Sequence, residues 1–516
     1  MRGNGYMKSI NNYHDQIKGS LHGFDRIIFK GHLRQFFSQS GRSHFLSMEN
    51  VLLKDYSAYA QSITSQIKEH AREMAESLGR PYIYLNSPKT SKEGTAKEIL
   101  KTNPVNEGLI CVIATVELCT ALESYKNHET HKIELRNRSR KCLYLYFYYM
   151  DKEFGFMHVK LQTWFPFEIQ IYINGREHLA KMMDQEGIGY QRYDNCFLQI
   201  DNLERAQELF NGFFERKLSR AFDALAHRIH PFLKRIETIF SAGYYWCVEQ
   251  CEYATDIMFE SRNALERIYN DLVEHALVSF SCDDVMTFLG RKMHHAFSGE
   301  IVSDKNRRPQ GLRIKHRMKG NSLKMYDKYS VLRIETTINN PHEFKILKKV
   351  TCHGEEVMKW VPMGKSVVNL YRYAQVSQSA NTRYWDALHA AKLTGECLEE
   401  IEKLSTPVTK KKRKYTGFNL LSQEVTMVFA AVLDGKNLIK GFSNADIRGV
   451  IYPGHVQDNH RRVGKTTRLL AKMRAHGLIA KIPHTFRYKP TVNGIRIMSA
   501  ILRVKKKEIP GLIDVA

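Results

Sequence analysis

Three helical segments with apolar faces, followed by two short β segments, close this chain. That order constrains its fold more than any other stretch. LLSQEVTMVFAAVL (420–433) repeats its apolar residues at helical spacing. Ser443 or Asn444 is placed to cap a second helix, NADIRGVIY. RRVGKTTRLLAKMRAHG (461–477) is the third, with Val463, Leu469, Leu470 and Met473 facing inward and Gly477 at the C-cap. LIAKI and FRYKPT then flank Pro483-His484-Thr485 as a hairpin. From Pro407 to Ala516 there are 22 Lys+Arg against 6 Asp+Glu, a net +16 of the whole chain's +24. A positive field this concentrated suits a polyanion, because neutralised phosphates release condensed counterions.

Helices followed by a hairpin read as a winged helix. The exposed side of its third helix carries Arg461, Arg462, Lys465, Thr467, Arg468, Lys472 and Arg474, and the wing adds Arg487 and Lys489. A helix of this kind can lie in a major groove, with the wing on the backbone. The arrangement resembles the winged helices of MarR-like regulators. A basic face that is merely solvated, or one used for protein or RNA contacts, is the plainer alternative. Gly464-Lys465-Thr466-Thr467 has the ending of a phosphate loop, but Asn459 stands where such a loop needs glycine. No nucleotide cofactor is expected.

At 516 residues the chain has room for several domains. The expected class is α+β (mixed α/β), multidomain, with a central antiparallel sheet and helices. The boundaries read as an N-terminal α/β domain over 1–140, a central α+β domain over 141–404, a basic linker over 405–417 and the winged helix over 418–506. PYIYLN, a helix capped by Ser91 and GLICVIATVEL give strand, helix and buried strand. Residues 141–173 read as an antiparallel meander, and its aromatics (Tyr144, Tyr146, Phe147, Tyr148, Tyr149, Trp164, Phe165) read as core rather than as a base-stacking surface. Residues 201–297 read as rich in helix. Asp256, in EYATDIMF, falls in an apolar context taken as helical, where an acid needs an Arg partner or a metal. Cys247, Cys251 and Cys282 read as small core residues rather than zinc ligands. No apolar run reaches the ~18 residues of a membrane span, and the N-terminus lacks the apolar core of a signal peptide. Cytoplasmic placement is therefore expected.

GLRIKHRMKGNSLKMYDKYSVLRIETTI (311–338) reads as three strands. Arg313, Lys315 and Arg317 share one face, and Lys324 belongs with them. Glu335 and Asp327 form a candidate pair for Mg²⁺ or Mn²⁺, with Asp256 as a third ligand. Cross-strand Lys–Glu pairing on an exposed sheet is the simpler explanation.

RIKHR, KMYDK and RIETTINNPHEFK, with FGFMHVKLQTWFPF, INGREHL, YYWCVEQCEYATDIMF and the C-terminal segment, resemble a largely uncharacterised bacterial protein family that ends in a winged helix. KMYDK…LRIE is also similar to a motif of rolling-circle replication initiators. That likeness implies a metal held by Asp327 and Glu335 and a nucleophilic tyrosine, here Tyr384 in NTRYWDAL. The resulting expectation is a nucleic-acid-binding protein of bacterial or mobile-element type that binds DNA, with metal-dependent nicking in its central domain. The alternatives are a non-enzymatic winged-helix regulator, which could act as a homo-oligomer, and a structural RNA-binding protein.

Overall fold

A computed structural model describes residues 16–513, apart from 88, 130, 216–217, 279, 292–298, 309–310, 353–354, 389–396, 411–412, 421 and 454–459. The chain divides into two compact units. The large-sheet unit comprises 20–256 and 337–375. The C-terminal unit comprises 257–336 and the chain from 376 onward, with the described residues up to 19. Both helices and strands are abundant, so the class is α+β, as expected.

The large-sheet unit holds β1 (Ile17–His32), β2 (Tyr82–Tyr84), β3 (Gly108–Lys126), β4 (Ile133–Asp151), β5 (Gly155–Gln162), β6 (Ile169–Asn174), the small β7 (Tyr190–Arg192) and β8 (Phe197–Ile200) pair, and β9 (Tyr245–Phe259). The large sheet runs β9-β1-β6-β5-β4-β3-β2 through this unit. It is mixed, because β2 pairs with β3 in parallel while β3, β4, β5 and β6 pair antiparallel. Between β2 and β3 lies the Lys92–Thr102 helix, whose Ser91 side chain accepts from the Gly94 N–H. The strand–helix–strand reading therefore holds locally. The aromatic meander is core, since Tyr144, Tyr146, Phe147, Tyr148, Tyr149, Trp164 and Phe165 are all buried.

Two expectations change. Residue 140 lies inside β4, which pairs with β3 from Ile133 to Met150, so the 140/141 boundary would cut a strand. Residues 245–259 form a strand, not a helix. From Cys251 to Phe259 every residue of β9 is buried, so the apolar run shows none of the alternation that separates a strand from a helix.

The C-terminal unit contains β10 (Ile301–Arg308), β11 (Gly311–Met318), β12 (Asn321–Lys328) and β13 (Val331–Ile338), consecutive neighbours in the sheet. One face is core. His316 donates to or accepts from Tyr384 Oη at 3.0 Å, and Thr336 Oγ1 reaches Asn381 Oδ1 at 2.7 Å. In the large-sheet unit, β14 (Lys345–Cys352) and β15 (Glu355–Pro362) form a separate two-stranded arm.

The chain ends in β16 (Val408–Lys410) and β17 (Arg413–Tyr415), helices Gln423–Leu433, Gly435–Lys440, Asn444–Ile451 and His460–Ala475, β18 (Ile479–Lys481), β19 (Tyr488–Pro490) and helix Val492–Ile513. Val428, Phe429, Ile447, Leu470, Met473, Ile479 and Met498 share one buried cluster. Ser443 caps its helix in a capping box with Asp446, and Gly477 adopts φ +76°, the left-handed geometry that ends a helix. The basic stretch 405–417 is less free than a linker. Lys410 Nζ donates to the Arg474 carbonyl at 3.3 Å, and the Phe418 N–H to the Leu404 carbonyl at 2.7 Å.

Candidate nucleic-acid interface

On the His460–Ala475 helix, Thr466, Leu470 and Met473 are buried. That orientation leaves Arg461, Lys465, Thr467, Arg468 and Arg474 exposed. Arg461, Lys465 and Arg468 follow one another at i, i+4 and i+7, so they form a single stripe. Among the described residues Lys465 and Arg468 make no ion pair, and no acidic residue precedes them in the helix.

Other cations expected at this interface make contacts within the fold and are half-buried. Lys472 Nζ donates to the Gly417 carbonyl at 2.7 Å and lies 4.2 Å from the Phe418 ring centroid. Arg487 donates to the carbonyls of Lys440 (3.1 Å) and Gly441 (2.5 Å), joining the hairpin to the preceding helix. Arg462 sits 5.4 Å from the Tyr452 ring centroid. Thr467 accepts from Asn444 Nδ2 at 2.9 Å and donates to the Val463 carbonyl at 2.8 Å. Lys489 is exposed on β19. The sequence reading passed over Phe486, which is 90% exposed at the hairpin tip. A large apolar residue in a turn was its one available signal.

The second cationic surface is the outer face of β11 and β12. Their register sets Arg313 opposite Tyr326, Lys315 opposite Lys324 and Arg317 opposite Ser322, so the four cations do share a face. Lys324 Nζ lies 2.5 Å from Glu335 Oε1, and Tyr326 donates to Glu335 Oε2 at 2.6 Å. Burial alone would push the Glu335 carboxyl up. The Lys324 charge and the two hydrogen bonds outweigh it and hold the group at about 2. Arg317 reaches Asp304 at 2.7 Å. Lys315 is shifted down, first by burial and then by Lys324, Arg313 and Arg317. Among the described residues Arg313 Nε is buried without a hydrogen-bond partner. Crowded like charges of this kind favour a bound anion.

The proposed acidic pair does not meet. Asp327 points to the opposite face of β12 from Tyr326. Its carboxylate sits where a side chain on Gly311 would be, and Tyr269 and Arg262 are its electrostatic neighbours. Asp327 and Glu335 therefore cannot chelate one ion, because successive residues of a strand face opposite ways. Asp256 is fully buried and pairs with Arg176 at 3.0 Å, so an arginine meets the need that the sequence raised. Tyr384 is fully buried against His316, Phe280 and Phe288, and burial holds its phenol protonated. In this conformation its oxygen is closed to any phosphodiester.

In the large-sheet unit Asp25 on β1 and Glu252 on β9 are buried, and Arg26 lies 3.0 Å from Glu252 and 3.9 Å from Asp25.

Against family models, curated proteins and solved structures, the chain has no match. Among the described residues no helix is long and apolar enough to cross a membrane.

Proposed function

We propose that this protein binds nucleic acid, with the C-terminal helices and hairpin acting as a winged helix on duplex DNA. The observation that carries the reading is the Arg461–Lys465–Arg468 stripe, exposed on a helix whose other side is buried. Phosphates would neutralise it, and its helical spacing follows a groove. Lys489 extends the cationic surface to the hairpin, and Phe486 lies at the tip. The β11–β12 face, with Arg313, Lys315 and Arg317, would take a further phosphate.

The test is anisotropy of a labelled duplex across a salt series. Replacing Arg461, Lys465 and Arg468 with alanine should lower the slope of log affinity against log salt by about 0.9 per cation removed. An unchanged slope would remove this helix from the interface.

A further inference from the structure

The β14–β15 arm was not part of any sequence expectation. Its register places Leu347 opposite Trp360, Lys349 opposite Met358 and Lys345 opposite Pro362 on one face. Trp360 is 63% exposed, Met358 59% and Leu347 37%. These three form an apolar stripe with a lysine at either end. The reverse face places Lys348 directly opposite Lys359, both exposed. Like charges facing each other across a ladder destabilise it. An isolated two-stranded ribbon has little stability to spare. Along this length the described acidic partner is Glu356, which pairs with Lys349. The pattern continues at the arm's base. Arg372 Nη2 donates to the Leu347 carbonyl at 3.4 Å and the guanidinium lies 4.7 Å from the Tyr371 ring, itself 39% exposed.

We infer that this arm binds an unpaired nucleic-acid strand, with a base stacked on Trp360 and the lysines on the flanking phosphates. An acidic protein would satisfy the lysines but leave the apolar stripe in water. An apolar partner would bury Lys345 without counter-charge and would desolvate the Lys349–Glu356 pair. An unpaired strand presents both a ring face and a phosphate at every residue, and interleaved aromatic and basic side chains match that repeat. In a duplex the ring faces are stacked and closed to Trp360. The inference is independent of the C-terminal stripe, because the arm shares no residue with it.

Trp360 also supplies the readout. The chain has 4 tryptophans, and Trp164, Trp246 and Trp385 are all buried, at 6%, 3% and 0% exposure. Fluorescence accessible to solvent therefore comes from Trp360. Titrating the full-length protein with oligo(dT) should quench this emission and protect it from acrylamide. In parallel, anisotropy of labelled oligo(dT) should show binding weakened roughly fivefold to a hundredfold by Trp360→Ala. Lys345→Ala with Lys349→Ala should weaken it further at low salt, while duplex affinity stays at the wild-type value in both variants. An oligo(dT) affinity that Trp360→Ala leaves unchanged overturns the proposal, as does quenching by duplex but not by single strands. Loss of duplex binding with retained oligo(dT) binding would instead defeat the winged-helix reading alone.

Discussion

The two cationic surfaces of the C-terminal unit are built on different principles. On the His460–Ala475 helix, Lys465 and Arg468 stand in solvent without an ion pair among the described residues. On β11 and β12, Lys324 is 12% exposed and bound to a carboxylate that is 1% exposed. Charge on the first surface is available to a partner and contributes little to folding. On the second, much of it is committed to the fold, and only the crowded outer cations remain for an anion. Net charge counts both alike, so it overstates the surface available to nucleic acid.

The sharpest way to break this distinction is to remove Glu335. Glu335→Ala leaves Lys324 partly buried beside Lys315 and Arg313, and should destabilise the protein by about 3–5 kcal/mol in urea unfolding. A loss below about 1 kcal/mol would place Glu335 with the exposed charges instead.

Acid should act on the interior and spare the helix stripe. His22 and His316 are held at about 4, and His158 and His230 at about 3, first of all by burial. Each is therefore neutral when folded, and the unfolded chain takes up the proton first, near pH 6.5. Stability is complete above that value and falls as pH drops toward the folded values. The slope per histidine is about 1.4 kcal/mol per pH unit. Glu335 adds to the loss only lower, from about 4.5 toward about 2. A urea midpoint that stays level from pH 6.5 to 4.5 would contradict the burial of these rings.

Smaller effects separate residues within the basic helix itself. Lys472→Ala removes a hydrogen bond to the Gly417 carbonyl and a contact with Phe418, and should cost about 1–2 kcal/mol while hardly changing the salt dependence of DNA binding. Lys465→Ala and Arg468→Ala should do the reverse, with stability within about 0.5 kcal/mol of wild type. Matching salt slopes for Lys465→Ala and Lys472→Ala would erase the division drawn between them.

The legible parts of the fold were those set by local chemistry. Ser91 and Ser443 cap the helices whose starts they mark, Gly477 ends one, and three alternating segments become β11, β12 and β13. Alternation also placed Arg313, Lys315, Arg317 and Glu335 correctly. β9 was illegible because burial on both faces removes the period from its sequence. The β14–β15 arm escaped notice because lysines interrupt the apolar residues on both of its faces, so neither face reads as continuously apolar.

By itself the sequence determined the charge of the C-terminal segment, its helices and hairpin, and which residues share a strand face. These follow from periods of 3.6 and 2 and from capping chemistry, all of which act over a few residues. Partners distant in the chain were decided only by the tertiary structure. Arg176 meets Asp256, Tyr384 closes over His316, and Lys472 turns back to Gly417. The physical reason is desolvation. A buried charge must find whichever opposite charge the packing brings within reach, and no local pattern specifies that choice.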